Sequence, residues 1–492
     1  MGVLSRSGAT DRSPAARALA LPTADPNPLV VDLDGTLLRS DSLIESLFAT
    51  ARSQPLRLLQ VPLWLAQGRA VLKHRLADRA SIDARTLPYE QELLEHLHQQ
   101  KSLGRRLVLC TGADAAIARA VAGELGIFDD VLASDGTTNL TATRKRDRLI
   151  DEFGEHGFDY VGNSKRDLPI WAAARRTLLV SPSRRLAKAA EDVANVERVF
   201  AQEPPRLASY LGAMRLHHWL KNVLVLVPLL AAHSLYEPRM LGHALLGALS
   251  FCLAASGIYL LNDLFDLPSD RRHPSKRDRA LASGRIPIAH ALLLVPVLWL
   301  AAGALGLWLS RPFAALLGFY VLLMLAYSMR LKDVAIVDCG VLAVGYTLRV
   351  VAGSVAAGVD VSAWLLVCSV ALFFGLALLK RYAELLTLQA HLGDGVRLRA
   401  YRVSDSSLIA GLGAASGCVA VAVLALYPVV ERVDHARGAI WIVCALLLFW
   451  IGHMWLMAHR RRIRDDPVTF ALHDRASQMI GAGVAAVLLV ST

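Results

Sequence analysis

The sequence predicts two architectures in one chain: a parallel α/β domain with a helical cap, then an all-α membrane bundle of about nine helices. Three observations predict this. The chain has 492 residues, 54% of them hydrophobic, yet 19% are charged, a mixture that fits a charged half joined to an apolar half. Composition changes at Pro204-Pro205: apolar runs before it are short and broken by charge, and those after it are long and follow one another. The first half also alternates short β-type runs with helical stretches, the pattern of a parallel sheet with helices on both faces. The expected divisions are a disordered segment over 1–27, the α/β domain over 28–203 and the membrane domain over 204–492.

The first segment contains Arg, Asp, Ser and Pro and only a short apolar patch, Ala18 to Leu21. That is too little for the core of a secretory signal, so the first domain is expected in the cytoplasm. Its strands are expected at Leu29-Val30-Val31, Leu107-Val108-Leu109, Tyr160-Val161 and Leu178-Leu179-Val180, with helices such as Ala115 to Gly123 between them. Residues 41–100 read as mostly helical and form the cap. Within them, Pro55 to Leu76 mixes Leu, Val and Trp64 with Arg and Lys. That composition suits either the core of the cap, the favoured reading, or a helix on a membrane surface.

After Pro205, apolar segments run over 216–235, 240–261, 286–309, 312–328, 334–357, 361–379, 407–429, 439–457 and 476–490. A bilayer span needs about 20 apolar residues, so the fourth and ninth are short. With the first domain cytoplasmic, the loops after the even-numbered segments face the same side. They hold most of the loop Lys and Arg, including Arg271, Lys276, Arg330, Lys380, Arg402 and Arg460. The opposite loops hold Arg239, Arg311, Arg432 and Arg437. That bias fits nine spans in the inner (cytoplasmic) membrane. The net charge of +11 is then largely the charge of those loops, and nucleic acid is not an expected partner. Six cysteines without paired spacing, five of them in apolar stretches, read as small buried hydrophobes rather than a disulfide or zinc framework.

Two constellations carry chemistry. The first is Val30-Val31-Asp32-Leu33-Asp34-Gly35-Thr36 at the end of the first strand. Carboxylates two residues apart at a strand end point the same way. One can attack a phosphoryl group while the other donates and accepts protons, and Gly35 permits the sharp turn. Thr111-Gly112 ends the second strand, Asn139-Leu140 precedes Lys145 and Leu149, and Gly162-Asn163-Ser164 precedes Asp167. Together these resemble the four motifs of the haloacid dehalogenase (HAD) superfamily, over about 170 residues, and imply a Rossmann-like HAD fold. By that resemblance Asp32 is the nucleophile, Asp34 the acid/base, Thr111 and Lys145 bind phosphate, and Asp167 joins Asp32 and Asp34 in holding Mg²⁺. Asn163 stands where an acid is commoner, which removes one negative charge.

The second constellation is Asn262-Asp263-Leu264-Phe265-Asp266, then Asp270, Arg271, His273-Pro274, Lys276, Arg277 and Arg279. Asp263, Asp266 and Asp270 share one helical face, although Pro268 disturbs that helix. Carboxylates at a membrane edge are costly unless they meet water, cations or one another. Mg²⁺ held between carboxylates and a diphosphate meets that requirement, with the basic residues taking the remaining phosphate charge. NDxxDxxxD followed by HPxKRxR resembles the UbiA family of intramembrane transferases, whose fold also has nine spans.

Within that family the chain resembles the branch that makes phosphoribosyl polyprenyl phosphate from phosphoribosyl diphosphate (PRPP). The stretches that carry this are Arg215 to Pro228 with Trp219-Leu220-Lys221-Asn222, Tyr327-Ser328 with Leu331-Lys332 and Val337-Asp338, Arg349 to Gly353, and Lys380-Arg381-Tyr382-Ala383-Glu384-Leu385. Asp278-Arg279-Ala280 departs from the branch, which commonly has Arg-Pro after a variable residue. The resemblance implies catalysis at Asp263 and Asp266, metal helpers at Asp270 and Asp338, and substrate binding by Lys221, Asn222, Asn262, Lys276, Arg277, Arg279, Arg349 and Lys380. PRPP and a polyprenyl phosphate are the implied substrates, membrane lipid the surroundings and Mg²⁺ the cofactor; oligomeric state stays open. Asp338 and Arg349 lie three turns apart on one face, so Arg349 is either a site residue or half of a structural pair with Asp338. Lys380 and Glu384 have the spacing of a helical ion pair.

The fused phosphatase has a use on that product, since removing the ribose 5-phosphate leaves polyprenyl-phosphoryl-ribose, a pentose donor for cell-surface glycans. The alternatives are a UbiA-type prenyltransferase moving a prenyl group from its diphosphate to an aromatic ring, and a lipid-binding scaffold with relic sites.

Overall fold

The computed structural model describes residues 25–78, 82–201, 204–232, 234–273, 276–392, 397–398, 400–431, 437–463 and 466–490. The segment expected to be disordered lies outside them as far as residue 24, as does Pro274. The chain divides into two compact units, Met1–Pro204 and Pro205–Thr492.

In the first unit six parallel strands form one sheet in the order β3-β2-β1-β4-β5-β6. They are β1 (Leu29–Val31), β2 (Leu107–Asp114), β3 (Asp130–Ser134), β4 (Asp159–Gly162), β5 (Arg176–Val180) and β6 (Val196–Phe200). Strand order reverses at β1, between β2 and β4, and the crevice beyond the carboxyl ends of such strands is where α/β sheets bind ligands. The period-two alternation of strands fills both faces. Leu29, Val31 and Leu33 join Leu93, Leu97, Ile117 and Val121 on one side, while Val30 joins Leu149, Ile170 and Trp171 on the other.

The helix Gln91–Ser102 therefore belongs to the sheet, through Leu93 and Leu97, and not to the cap that was expected to reach residue 100. The cap's own small core is Trp64, Leu72 and Leu76, packed by Leu43, Leu47 and Val61. Only part of Pro55 to Leu76 is core, because Leu56, Leu59, Leu63 and Leu65 are exposed. Asp25, expected in the disordered segment, bonds Arg175 at 2.5 Å. Arg175 also bonds the fully buried Asp159 at the start of β4, which Arg105 holds from the other side.

In the second unit, seven helices among the described residues have the length and apolarity to cross a membrane. They are Pro238–Phe265, Ile288–Leu309, Arg311–Met329, Val337–Ala357, Ala363–Gln389, Val403–Val430 and Gly438–His459. The expected count of nine is not confirmed among the described residues. The first expected segment is a 3₁₀ stretch, Leu216–Leu226, running into the short helix Val227–Ala231, and the last is Arg475–Val490, of 16 residues. Pro238–Phe265 and Val337–Ala357 are the central helices, with 61% and 67% of their apolar windows buried against 22–33% for the others. Close packing at the centre depends on glycine. A Cβ on Gly353 would lie 1.9 Å from the Val225 carbonyl oxygen, so Gly353 lets the 3₁₀ stretch rest directly on Val337–Ala357. Five of the six cysteines are buried and free, and Cys418 is exposed.

Candidate functional sites

The phosphatase-like site forms at the carboxyl end of β1. Gly35 has φ +74°, which favours glycine, and a Cβ there would fall 2.2 Å from Asn163 Nδ2, so that side chain would have to shift. Past the turn, Asp34 is held by Ser42, whose backbone N–H donates at 2.8 Å and whose hydroxyl donates at 3.0 Å. Asp32 accepts from Lys145 Nζ at 2.6 Å and from the Thr36 hydroxyl at 3.2 Å. Lys145 also donates to the Tyr160 hydroxyl at 3.0 Å, and that hydroxyl donates to Asp167 at 3.1 Å. Asp167 is fixed further by the backbone N–H groups of Asn163 and Ser164 and by the Ser164 hydroxyl. The structure thus brings Asp32, Lys145 and Asp167 into one buried network. Thr111 is fully buried, and its hydroxyl accepts from the Ala113 N–H at 3.0 Å.

Burial raises both strand-end carboxylates, and their neighbours differ. Burial pushes the Asp34 carboxyl up to about 7, and Asp41 and Asp32 add to the rise. A carboxyl that holds its proton near neutrality suits acid/base work. Burial opposes the charge on Lys145, but Asp32, Cys110 and Asp167 outweigh it and hold the ammonium protonated. Asp32 is raised by burial, and Lys145 works against that rise. The sequence reading missed Lys73, which reaches from the cap helix Arg69–Ala77 to the Gly112 carbonyl at 2.5 Å and Asn139 Oδ1 at 3.1 Å. A lone lysine in a helical stretch gives no signal of such a reach.

The second site gathers where Pro238–Phe265 ends. Asp263 is on its last turn, Asp266 caps the break, and Asp270 lies on the short helix Leu267–Arg272, with Pro268 in the first turn. The break expected at Pro268 is present, and proline is tolerated there because first-turn N–H groups have no helical partner. Each carboxylate meets a cation. Arg215 bonds Asp263 at 2.5 Å, Arg279 bridges Asp263 and Asp270 at 3.3 and 2.7 Å, and Lys332 reaches Asp266 at 3.1 Å. Asn262 donates to Asp266 at 3.0 Å. Lys276 is half-buried and Arg277 exposed on the same loop as Arg279. Arg215 and Lys332 were visible in the sequence only as parts of longer matching stretches. Arg215 also has a left-handed backbone, φ +53°, unusual for a non-glycine residue.

The same unit holds a second cationic group that the sequence did not assemble. Lys221 and Lys380 converge on Asp466 at 2.8 and 3.7 Å, and the Tyr346 hydroxyl lies 3.5 Å from the same oxygen. Burial opposes the charge on Asp466, but the two lysines hold it well below the usual carboxylate range. Lys221 and Arg349 both lie over the Tyr346 ring, at 5.8 and 5.5 Å. Arg349 donates to Asn222 at 2.7 Å, to the Gly345 carbonyl at 2.5 Å and to the Tyr320 hydroxyl at 2.9 Å. Among the described residues no carboxylate pairs with it.

Two pairings read from helical spacing are corrected. Asp338 does not pair with Arg349. It is fully buried, and its two oxygens accept from Arg381 and Tyr401, each at 2.5 Å, so it ties helices together. Glu384 bonds Arg381 at 2.5 Å, and Lys380, its expected partner, turns to Asp466.

Mg²⁺ can be tested against these residues. Among the described residues no three His, Cys, Asp or Glu side chains form a ready-made metal cage. Mg²⁺ seldom uses one: it takes one or two carboxylates, water and substrate phosphate oxygens. Both sites offer carboxylates as hard oxygen donors, with Lys145 on Asp32 in the first and Arg215, Arg279 and Lys332 on the three in the second, and so fit an ion that arrives with its phosphate.

Comparison with known proteins agrees with both halves. Residues 29–172 match the haloacid dehalogenase-like hydrolase family and residues 223–475 the UbiA prenyltransferase family. Uncharacterized protein y4nM of Sinorhizobium fredii is 37% identical, covering 94% of this chain and 91% of its own. Nodulation protein NoeC of Azorhizobium caulinodans is 34% identical over 56% of this chain and 91% of its own. Decaprenyl-phosphate phosphoribosyltransferase of Mycolicibacterium smegmatis is 32% identical over 56% of this chain and 91% of its own. The chain belongs to the UbiA prenyltransferase family, as a multi-pass membrane enzyme that also carries a haloacid dehalogenase-like hydrolase domain.

Proposed function

We propose that the chain transfers phosphoribose from PRPP to a polyprenyl phosphate in its membrane unit and removes the ribose 5-phosphate in its HAD unit. The observation that carries this reading is the set of three carboxylates at the end of Pro238–Phe265, each already facing a cation, in a unit that also holds a separate Lys221–Lys380 pair. That arrangement suits two phosphorylated substrates. The M. smegmatis relative, named a decaprenyl-phosphate phosphoribosyltransferase, supports the choice.

In the membrane site Asp263 and Asp266, with Asp270, would hold Mg²⁺, which when bound supplies charge stabilisation to the departing diphosphate. Arg215, Arg279 and Lys332 present positive charge to the same diphosphate oxygens and keep the carboxylates from repelling them. The bond from ribose C1 to the diphosphate breaks, its electron pair leaves with diphosphate, and a phosphate oxygen of the polyprenyl phosphate attacks C1. Lys221 and Lys380 share one carboxylate and so keep net positive charge for a second phosphate. Asn222 orients Arg349 toward the same interior.

In the HAD site Asp32 attacks the 5-phosphate. The P–O bond to ribose breaks, and Asp34 gives its proton to the departing oxygen. Water then cleaves the aspartyl phosphate, and Asp34 takes back a proton. Lys145 neutralises charge on the phosphoryl oxygens, and Thr111 and Asp167 stand at the same strand ends. The excess of Lys and Arg on one set of loops supports an inner-membrane location with the HAD unit cytoplasmic, a reading in which the shorter apolar stretch Leu216–Ala231 also crosses. The product would serve as a lipid-linked pentose donor for cell-surface glycans.

Purified protein with Mg²⁺, polyprenyl phosphate and labelled PRPP tests this directly. Labelled lipid without a 5-phosphate is expected from wild type, and labelled lipid retaining it from Asp32→Asn. If neither uses PRPP but both consume a prenyl diphosphate and an aromatic acceptor, the prenyltransferase reading replaces this one.

A further inference from the structure

The cap carries an apolar strip that its own core does not use. Between the 3₁₀ turn Pro55–Gln60 and the helix Val61–Ala66, Trp64 turns inward and is 5% exposed. Leu56 and Leu59 are each 80% exposed, Leu63 59% and Leu65 51%. Single exposed leucines are ordinary, but a contiguous group marks a contact surface. Leu56, Leu59 and Leu63 follow one another at steps of three and four, which sets them along one side.

Charge and attachment identify what covers this strip. From Ser46 to Ala77 the chain has no Asp or Glu, while Arg57, Arg69, Lys73 and Arg75 are spread along it. An apolar strip with basic neighbours is the pattern of an element that lies in the interface of an anionic bilayer. A bilayer is also always near, because the same chain continues from Pro204 to membrane-crossing helices that begin at Pro238. Tethering of this kind raises the effective concentration of a weak surface contact. The strip and the phosphatase crevice are linked as well: the helix after it, Arg69–Ala77, sends Lys73 to Gly112 and Asn139, next to Thr111.

We propose that Pro55–Ala66 docks the HAD cap on an anionic lipid surface, seating Leu56, Leu59 and Leu63 at the boundary of headgroups and acyl chains. Docking there directs the crevice to phosphomonoesters carried on lipids, a consequence that rests on the phosphatase reading above.

The test uses the full chain in proteoliposomes. A bimane probe goes on Leu59→Cys in a Cys418→Ala background, with Gln99→Cys, on an exposed face of another helix, as the reference position. Lipids with spin labels high on the acyl chain are expected to quench the probe at 59 several-fold more than at 99. The quenching should need phosphatidylglycerol and should fall when Leu56 and Leu63 become Gln. Equal quenching at 59 and 99 would overturn the proposal. So would a probe at 59 shielded from aqueous iodide yet untouched by spin-labelled lipid, since protein would then cover the strip.

The second arm measures hydrolysis by Leu56→Gln/Leu59→Gln/Leu63→Gln. Turnover of soluble p-nitrophenyl phosphate should be unchanged, while turnover of a phosphomonoester lipid in vesicles should fall about tenfold or more. Equal turnover of the lipid by variant and wild type would overturn the directing role. Failure of wild type on both substrates would instead refute the phosphatase reading, and the quenching result would still decide docking.

Discussion

Replacing Lys145 with Met removes the cation from the most enclosed part of the phosphatase site. Its Nζ lies 2.6 Å from Asp32 Oδ1 and 3.0 Å from the Tyr160 hydroxyl. The Lys145 and Asp32 side chains are 4% and 11% exposed, so solvent screens neither. Breaking a buried pair by deleting one partner costs about 3–5 kcal/mol, because the other charge stays desolvated. Asp32 can escape part of that cost by taking a proton, since burial already raises its carboxyl and Lys145 is what opposes the rise. Protonation relieves the fold but disarms the nucleophile. Loss of one preorganised charge donor lowers turnover by about 10²–10³, and protonation of Asp32 multiplies the loss. Lys145→Met should therefore reduce p-nitrophenyl phosphate turnover by about a thousandfold or more, with PRPP transfer unchanged. Hydrogen exchange at Leu29–Val31 and Asp159–Gly162 should speed up. Adding Asp32→Asn removes both charges, so exchange in the double variant should return most of the way to wild type. A single variant with half of wild-type turnover, or single and double variants exchanging equally fast, would refute the reasoning.

Three other outcomes are expected. Asp266→Asn gives up a charge that faces Lys332 at 3.1 Å and should abolish PRPP transfer while p-nitrophenyl phosphate turnover stays normal; transfer within twofold of wild type would remove Asp266 from the site. Arg349→Gln should cut transfer at least about tenfold more than Arg437→Gln at equal folded yield, because three donors of Arg349 bind Asn222, Gly345 and Tyr320 and charges inside a membrane bundle are costly to keep without a function. Gly353→Ala would put a Cβ 1.9 Å from the Val225 carbonyl oxygen. Overpacking of this kind costs about 1–3 kcal/mol, so detergent-solubilised yield should fall, and transfer per folded molecule should fall with it because Lys221 and Asn222 ride on the displaced stretch.

What could be read in the sequence was what depends on neighbours in the chain. Leu29-Val30-Val31 and Leu178-Leu179-Val180 are continuous apolar runs because both faces of those strands are covered. Strands β3 and β6 were not legible for the converse reason. Asp130–Ser134 and Val196–Phe200 are the two edges of the sheet and less fully covered; Glu197 and Arg198 break the run in the second, while the first keeps only the short run Val131-Leu132-Ala133. The Asp-rich motif was legible because Asp263, Asp266 and Asp270 lie within one stretch of helix. Asp466 was not, since its partner Lys221 is 245 residues away and its local setting, an acid before Pro467, reads only as a helix cap.

The choice left open at Arg349, a site residue or half of a pair with Asp338, has the same origin. Helical spacing reports that two residues share a face, and these do share one. On a surface helix that would make them each other's natural partners. Val337–Ala357 is buried over 67% of its apolar window, so several helices border that face, and each charge is offered closer partners from the side. Arg381 and Tyr401 take Asp338, while Asn222 and Tyr320 take Arg349. The outcomes differ in kind. Asp338 meets a guanidinium and a hydroxyl and ends neutralised, which fits a structural tie. Arg349 meets an amide oxygen, a carbonyl and a hydroxyl, none of which carries opposite charge. A guanidinium kept ionised among neutral acceptors is the better place for an anionic substrate to finish the pairing, and this is why Arg349 stays among the residues proposed to bind phosphate.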